Sequence, residues 1–149
     1  MATETKLRQL ADKGCPVYYF YSSERYLVRQ AVAAATRILT ADSDEDATVL
    51  DGAAPEIEQL IMAAGTISFF GTRRVVVLPE IDPAAYSDKD LEELNSTLSS
   101  LENAVVVLGS VFELERSKLK TGKRAQKLIA QCKALGYTEE LAKPKPFEL

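Results

Sequence analysis

The chain has 149 residues, enough for one domain that buries about 68–70% of its unfolded surface. Its 46% hydrophobic and 27% charged residues, with a net charge of −4, are ordinary for a soluble globular domain that needs no disulfide or metal staple. Histidine is absent, which removes Ser-His and Cys-His nucleophilic pairs and the commonest metal ligand, while carboxylates alone can still bind Mg²⁺.

Cys15 and Cys132 lie far apart without metal-site spacing, which predicts buried thiols in a reducing compartment. Residues 1–9 are polar and charged, unlike a signal peptide. No apolar run approaches the roughly 18 residues of a membrane span. These features predict a cytoplasmic protein.

In chain order, Val17 to Tyr21 is a continuous aromatic and β-branched run, as expected of a strand covered on both faces. Ser22 or Ser23 is placed to cap the next helix, and Leu27, Val28, Ala31, Val32, Ala35, Ile38 and Leu39 form its apolar stripe. Thr48 to Leu50 is a second strand, ended by Asp51-Gly52. Pro55 suits the first turn of a second helix, with Ile57, Leu60, Ile61 and Ala64 facing the core. Arg74 to Leu78 is the third strand. Ser87-Asp88-Lys89-Asp90 resembles a capping box, followed by Leu91, Leu94, Leu98 and Leu101 at helical spacing. Asn103 to Leu108 carries a fourth strand, and Ser117 to Leu135 a long basic helix with Gly136 as its C-cap. Tyr137 to Leu141 is a short fifth strand, and Lys143-Pro144-Lys145-Pro146 reads as a linker. Strict alternation predicts an α/β fold: a five-stranded parallel sheet flanked by helices on both faces.

A nucleotide-binding α/β domain needs a glycine-rich loop and a lysine after its first strand, so that backbone N–H groups and a positive charge meet the phosphates. Here Tyr21-Ser22-Ser23-Glu24-Arg25 supplies neither. Glu80 and Asp82, after the third strand, are the remaining candidates for an Mg²⁺ site, weighed against an ordinary solvated loop.

Gly65-Thr66-Ile67-Ser68-Phe69-Phe70-Gly71 sets two adjacent aromatic rings between glycines, where a helix pattern gives way to a strand pattern. Neighbouring side chains point about 100° apart on a helix and to opposite faces on a strand. One core cannot easily take both rings, so Phe69 and Phe70 either plug another protein's pocket or cap the core at the junction. Charge is also segregated. Arg116, Lys118, Lys120, Lys123, Arg124, Lys127 and Lys133 fall in one acid-free segment, while the remainder of the chain balances at −11. Such a segment contacts nucleic acid or an acidic partner, or it is a solvated helix face whose lysines favour the C-terminal half.

Together, Val17-Tyr18-Tyr19-Phe20-Tyr21 with Ser23 to Leu27, Leu50-Asp51-Gly52, Thr66 to Leu78 and the Arg116–Lys127 region resemble the N-terminal domain of the delta subunit of the bacterial DNA polymerase III clamp loader. The most specific element is Phe69-Phe70-Gly71-Thr72-Arg73-Arg74-Val75-Val76-Val77. The resemblance implies a P-loop NTPase/AAA+-like fold without a functional phosphate loop, non-catalytic by itself within a DNA polymerase holoenzyme. It also implies that Phe69 and Phe70, supported by Ile67 and Thr66, grip a sliding clamp and help open its ring, with no cofactor and no metal. Other loader subunits are expected partners through further domains, and Lys120, Lys123 and Arg124 are candidates for contact with DNA or an acidic partner. Residues 1–142 are the expected clamp-binding domain and 143–149 the start of a linker. The alternative is a small nucleotide- or Mg²⁺-binding enzyme domain using Glu80 and Asp82.

Overall fold

Residues 4–41, 46–65 and 73–142 are described by the computed structural model. In chain order the first half comprises α1 (Glu4–Asp12), β1 (Val17–Ser22), α2 (Arg25–Thr40), β2 (Thr48–Val49), α3 (Ile57–Gly65) and β3 (Arg74–Leu78). The second half comprises a 3-10 turn (Pro83–Ala85), α4 (Asp88–Ser99), β4 (Ala104–Val111), β5 (Glu113–Glu115), β6 (Lys118–Lys120), α5 (Gly122–Leu135) and β7 (Tyr137–Glu140).

Five strands form one parallel sheet in the order β2-β3-β4-β1-β7, an α/β arrangement consistent with the P-loop NTPase/AAA+-like class. Alternation along each strand decides what covers each face. Val17, Tyr19, Val76, Leu78, Val106 and Leu108 face α3, α4 and α5, meeting Leu60, Leu94, Leu98 and Leu128. Tyr18, Phe20, Val75, Val77, Val105 and Val107 face α1 and α2, meeting Leu7, Val28, Val32 and Ala35. The central strands are thus buried on both sides, which is why they are apolar throughout instead of alternating.

Several boundaries depart from the sequence pattern. Residues 117–121 are not helical. Arg116 and Ser117 adopt φ of 53° and 68° and close a β5–β6 hairpin, pairing Glu113 with Lys120, Leu114 with Leu119 and Glu115 with Lys118. Consecutive left-handed residues match the twist of a two-residue hairpin, and opposite charges face each other across it. Helix α5 therefore begins only at Gly122. Strand β4 runs on to Val111, three residues beyond the expected end, because β1 beside it stays in register to Ser22. Helix α1 was not anticipated. Its single buried residue, Leu7, gives little periodicity, and Arg37 on α2 donates to Glu4 at 2.7 Å.

The first turn of α4 matches its capping signal, since the Ser87 hydroxyl accepts the Asp90 N–H at 3.1 Å. Gly136 caps α5 as expected, its N–H donating to the Cys132 carbonyl. The requirement for glycine there is close approach, since a Cβ would collide with the Val17 carbonyl. Pro55 precedes α3 by two residues instead of lying in its first turn. Both cysteines are free, Cys132 buried and Cys15 partly so. Burial pushes the Cys132 thiol up to about 12 and also raises Cys15, so neither is a reactive thiolate near neutrality.

Candidate functional site

The carboxyl edge of a parallel sheet is where such folds usually bind ligands, and here it is built from the ends of β1, β3 and β4. The β1–α2 connection is only Ser23-Glu24. The fully buried Ser22 donates its hydroxyl hydrogen to the Leu141 carbonyl at 2.6 Å and accepts the Glu24 N–H at 3.0 Å. Glu24, not Ser22 or Ser23, occupies the N-cap of α2, without a side-chain cap bond. The Ser22 hydroxyl is already committed to closing the sheet against the segment after β7. Glu24 nonetheless places a carboxylate at the positive end of the helix dipole.

Beside it, Arg25 Nε donates to Glu80 Oε1 at 2.8 Å, which raises the guanidinium pKa first by that hydrogen bond and then by the carboxylate charge. Asp82 caps the 3-10 turn, its Oδ1 accepting the Ala84 N–H at 3.0 Å. Glu80 and Asp82 do line one cleft of about 830 Å³, with Glu24, Arg25, Phe112, Glu113, Lys120 and Gly122. Each of the two carboxylates is engaged by its own partner. Among the described residues, no group of three or more carboxylates or thiols is arranged to hold a metal ion. The cleft carries four carboxylates against two cations, so a triphosphate entering it meets net negative charge.

The floor of the cleft is held by a buried hydroxyl relay. Ser110 gives its hydrogen to the Ile81 carbonyl at 2.8 Å, so the Tyr19 hydroxyl at 2.6 Å is its donor. Burial, its largest cause, raises the Tyr19 pKa well above the ordinary phenol range. The relay ties β1, β4 and the turn after β3 into one rigid unit, continued by ring contacts of Tyr21 with Tyr19 and Phe112.

The candidate cations separate once the structure is considered. Lys120 lies on β6, not on a helix, and it is exposed. Lys123 is exposed in the first turn of α5, whereas Arg124 is half-buried and its Nε donates to Asp88 at 3.0 Å. Lys120 and Lys123 remain on an open surface, and Arg124 holds α4 to α5.

Thr66, Ile67, Phe69 and Phe70 lie outside the described residues, as do residues 143–149. What precedes the first group is clear. Helix α3 buries Ile57 and Leu60, but Ile61, expected in the core, is 50% exposed and Met62 72% exposed. Helix α3 lies near an edge of the sheet, where β2 is only two residues long and offers little to cover a wide apolar stripe. A groove of about 550 Å³ opens beside Ile61, Ala64 and Gly65 and is closed opposite by Thr97, Ser100 and Leu101. Helix α3 ends at Gly65 and β3 begins at Arg74, on the amino edge of the sheet, opposite the cleft.

Sequence reasoning missed the hairpin and the Arg25–Glu80 pair. The period-2 alternation of Glu-Leu-Glu and Lys-Leu-Lys was the available sign of the first. The second joins residues 55 positions apart and left no local mark. Among the described residues, no helix is long and apolar enough to cross a membrane. The chain matches no protein-family model and no curated protein.

Proposed function

We propose that this chain is a non-catalytic, clamp-binding domain of a replicative clamp loader, with Phe69 and Phe70 as the rings that enter the sliding clamp and Ile67 and Thr66 as their support. The observation that carries the reading is the apolar approach to that segment. Ile61 and Met62 leave large hydrophobic side chains exposed on α3, within the ten residues before Phe69. Exposed apolar surface leading into adjacent aromatic rings is the composition of a protein-binding anchor. The carboxyl edge is in keeping with this. Where a nucleotide's phosphates would be bound, the chain offers a two-residue turn, the Glu24 carboxylate and an ion pair. In the full assembly the domain acts by holding the clamp, with other loader subunits as partners and DNA on the complex.

Changing Phe69 and Phe70 together to alanine is expected to weaken clamp binding at least about 30-fold, the effect of losing a buried aromatic anchor. Thermal stability should hardly change. Titration of the double variant against the sliding clamp, alongside a melting curve, tests both halves. Retained affinity, or unfolding like that of a core deletion, would mean that the rings are structural. The enzyme alternative makes a different demand. A nucleotide present at 100 times its Kd would add about 2.7 kcal/mol of stability, and we expect no such shift with ATP and Mg²⁺.

A further inference from the structure

We infer that the β5–β6 hairpin and the first turns of α5 form a second interaction surface, one that takes the phosphate backbone of nucleic acid. Residues 116–127 carry six cations and no acid, in a chain whose net charge is −4. Arg124 is committed to Asp88. The other five, Arg116, Lys118, Lys120, Lys123 and Lys127, are exposed and make no ion pair among the described residues. Glu115 and Glu113 stand opposite Lys118 and Lys120 in the hairpin register and offset two of those charges. Arg116 at the hairpin tip, with Lys123 and Lys127 on α5, remain as surplus.

Their placement argues against a merely solvated helix face. Lysines stabilise a helix near its C-terminus and disfavour it near its N-terminus, because the macrodipole is positive there. With α5 starting at Gly122, Lys123 lies in its first turn, which contains no acidic residue. The Lys123 charge therefore works against the helix that carries it, and a bound anion would reverse that cost.

The surface also lacks what a protein partner would seize. Between the cations the exposed residues are Ser117, Gly122 and Gln126. The exposed Leu114 pairs with Leu119, and strand alternation puts that pair on the opposite hairpin face from Lys118 and Lys120. Point charges without an apolar anchor suit sequence-independent phosphate contact. This surface follows the carboxyl end of β4, whereas β3 begins, at Arg74, on the amino edge of the sheet. The inference is independent of the clamp-binding reading.

The test is fluorescence anisotropy of a short labelled DNA duplex with the 149-residue chain, between about 50 and 200 mM salt. The expected result is binding that weakens steeply with salt. The Arg116→Gln/Lys123→Gln/Lys127→Gln variant should flatten the log–log salt slope by about 2–3, since each phosphate contact contributes about 0.9. Its melting temperature should stay level or rise slightly. Lys133→Gln, in the last turn of α5, should leave the slope unchanged. Absence of binding at low salt, an unchanged slope in the triple variant, or an equal effect of Lys133→Gln would overturn the inference. So would polyglutamate of matched charge binding as tightly as the duplex, which would identify an acidic protein as the partner. Phe69→Ala/Phe70→Ala should bind the duplex normally even if it loses the clamp.

Discussion

Replacing Gly109 with alanine is expected to destabilise the domain by about 1–3 kcal/mol, the range for overpacking a well-filled core. Gly109 sits in β4 opposite Phe20 of β1, on the face that α2 covers. An added methyl would stand 2.8 Å from Val28 Cγ1 and 3.0 Å from Val32 Cγ2, and would run into the Pro79 carbonyl oxygen. The two valines have side chains that can shift. The Pro79 carbonyl cannot, because it belongs to the turn leaving β3. Chemical denaturation should therefore show the loss clearly, and adding Val28→Ala should restore only part of it. Full rescue by Val28→Ala, or a loss under about 0.5 kcal/mol, would mean that the Pro79 turn yields more readily than a closed turn should.

A larger loss is expected at Tyr19. Its side chain is fully buried on β1, an interior strand of the sheet, in contact with Tyr21 at a ring-centroid distance of 5.6 Å. Tyr19→Ala removes a whole aromatic ring and leaves a cavity, which costs about 3–5 kcal/mol in cores of this kind. It also withdraws the hydroxyl that donates to Ser110. Tyr19→Phe keeps the ring and should cost about 0.5–1.5 kcal/mol, the net worth of one hydrogen bond. The ordering Ala well above Phe, read from denaturation midpoints at constant slope, separates packing from the relay. Equal losses would place the stabilisation in the hydroxyls instead.

The legibility of this chain in its sequence varies with how local the cause is. Val17 to Tyr21 announced a doubly covered strand because burial on both faces demands apolar residues without interruption. Ser87 announced the start of α4 because its cap bond spans only three residues. The hairpin was hidden because Arg116 and Ser117 adopt the left-handed region without the glycine or asparagine that normally signals it. Ile61 was misassigned because periodicity counts apolar residues but does not know how wide the sheet beneath them is. In the candidate site, the lack of glycine and lysine after β1 was readable from five residues, whereas the Arg25–Glu80 closure depended on folding distant segments together.

The sheet order also governs how the molecule must assemble in time. Strand β1 emerges early, yet the central strand β4, its long parallel neighbour, follows much later, and Tyr19 and Ser110 are 91 residues apart. Strands β2 and β3 come sooner but do not touch β1. Until β4 is available, the run Val17 to Tyr21 has no strand beside it and presents apolar edges to whatever it meets. Parallel pairing over such a separation is slow, because the closure entropy is lost before any contact offsets it. Refolding should be limited by the joining of β1 to β4. Chains ending before Val111 should collapse and aggregate instead of forming half a domain.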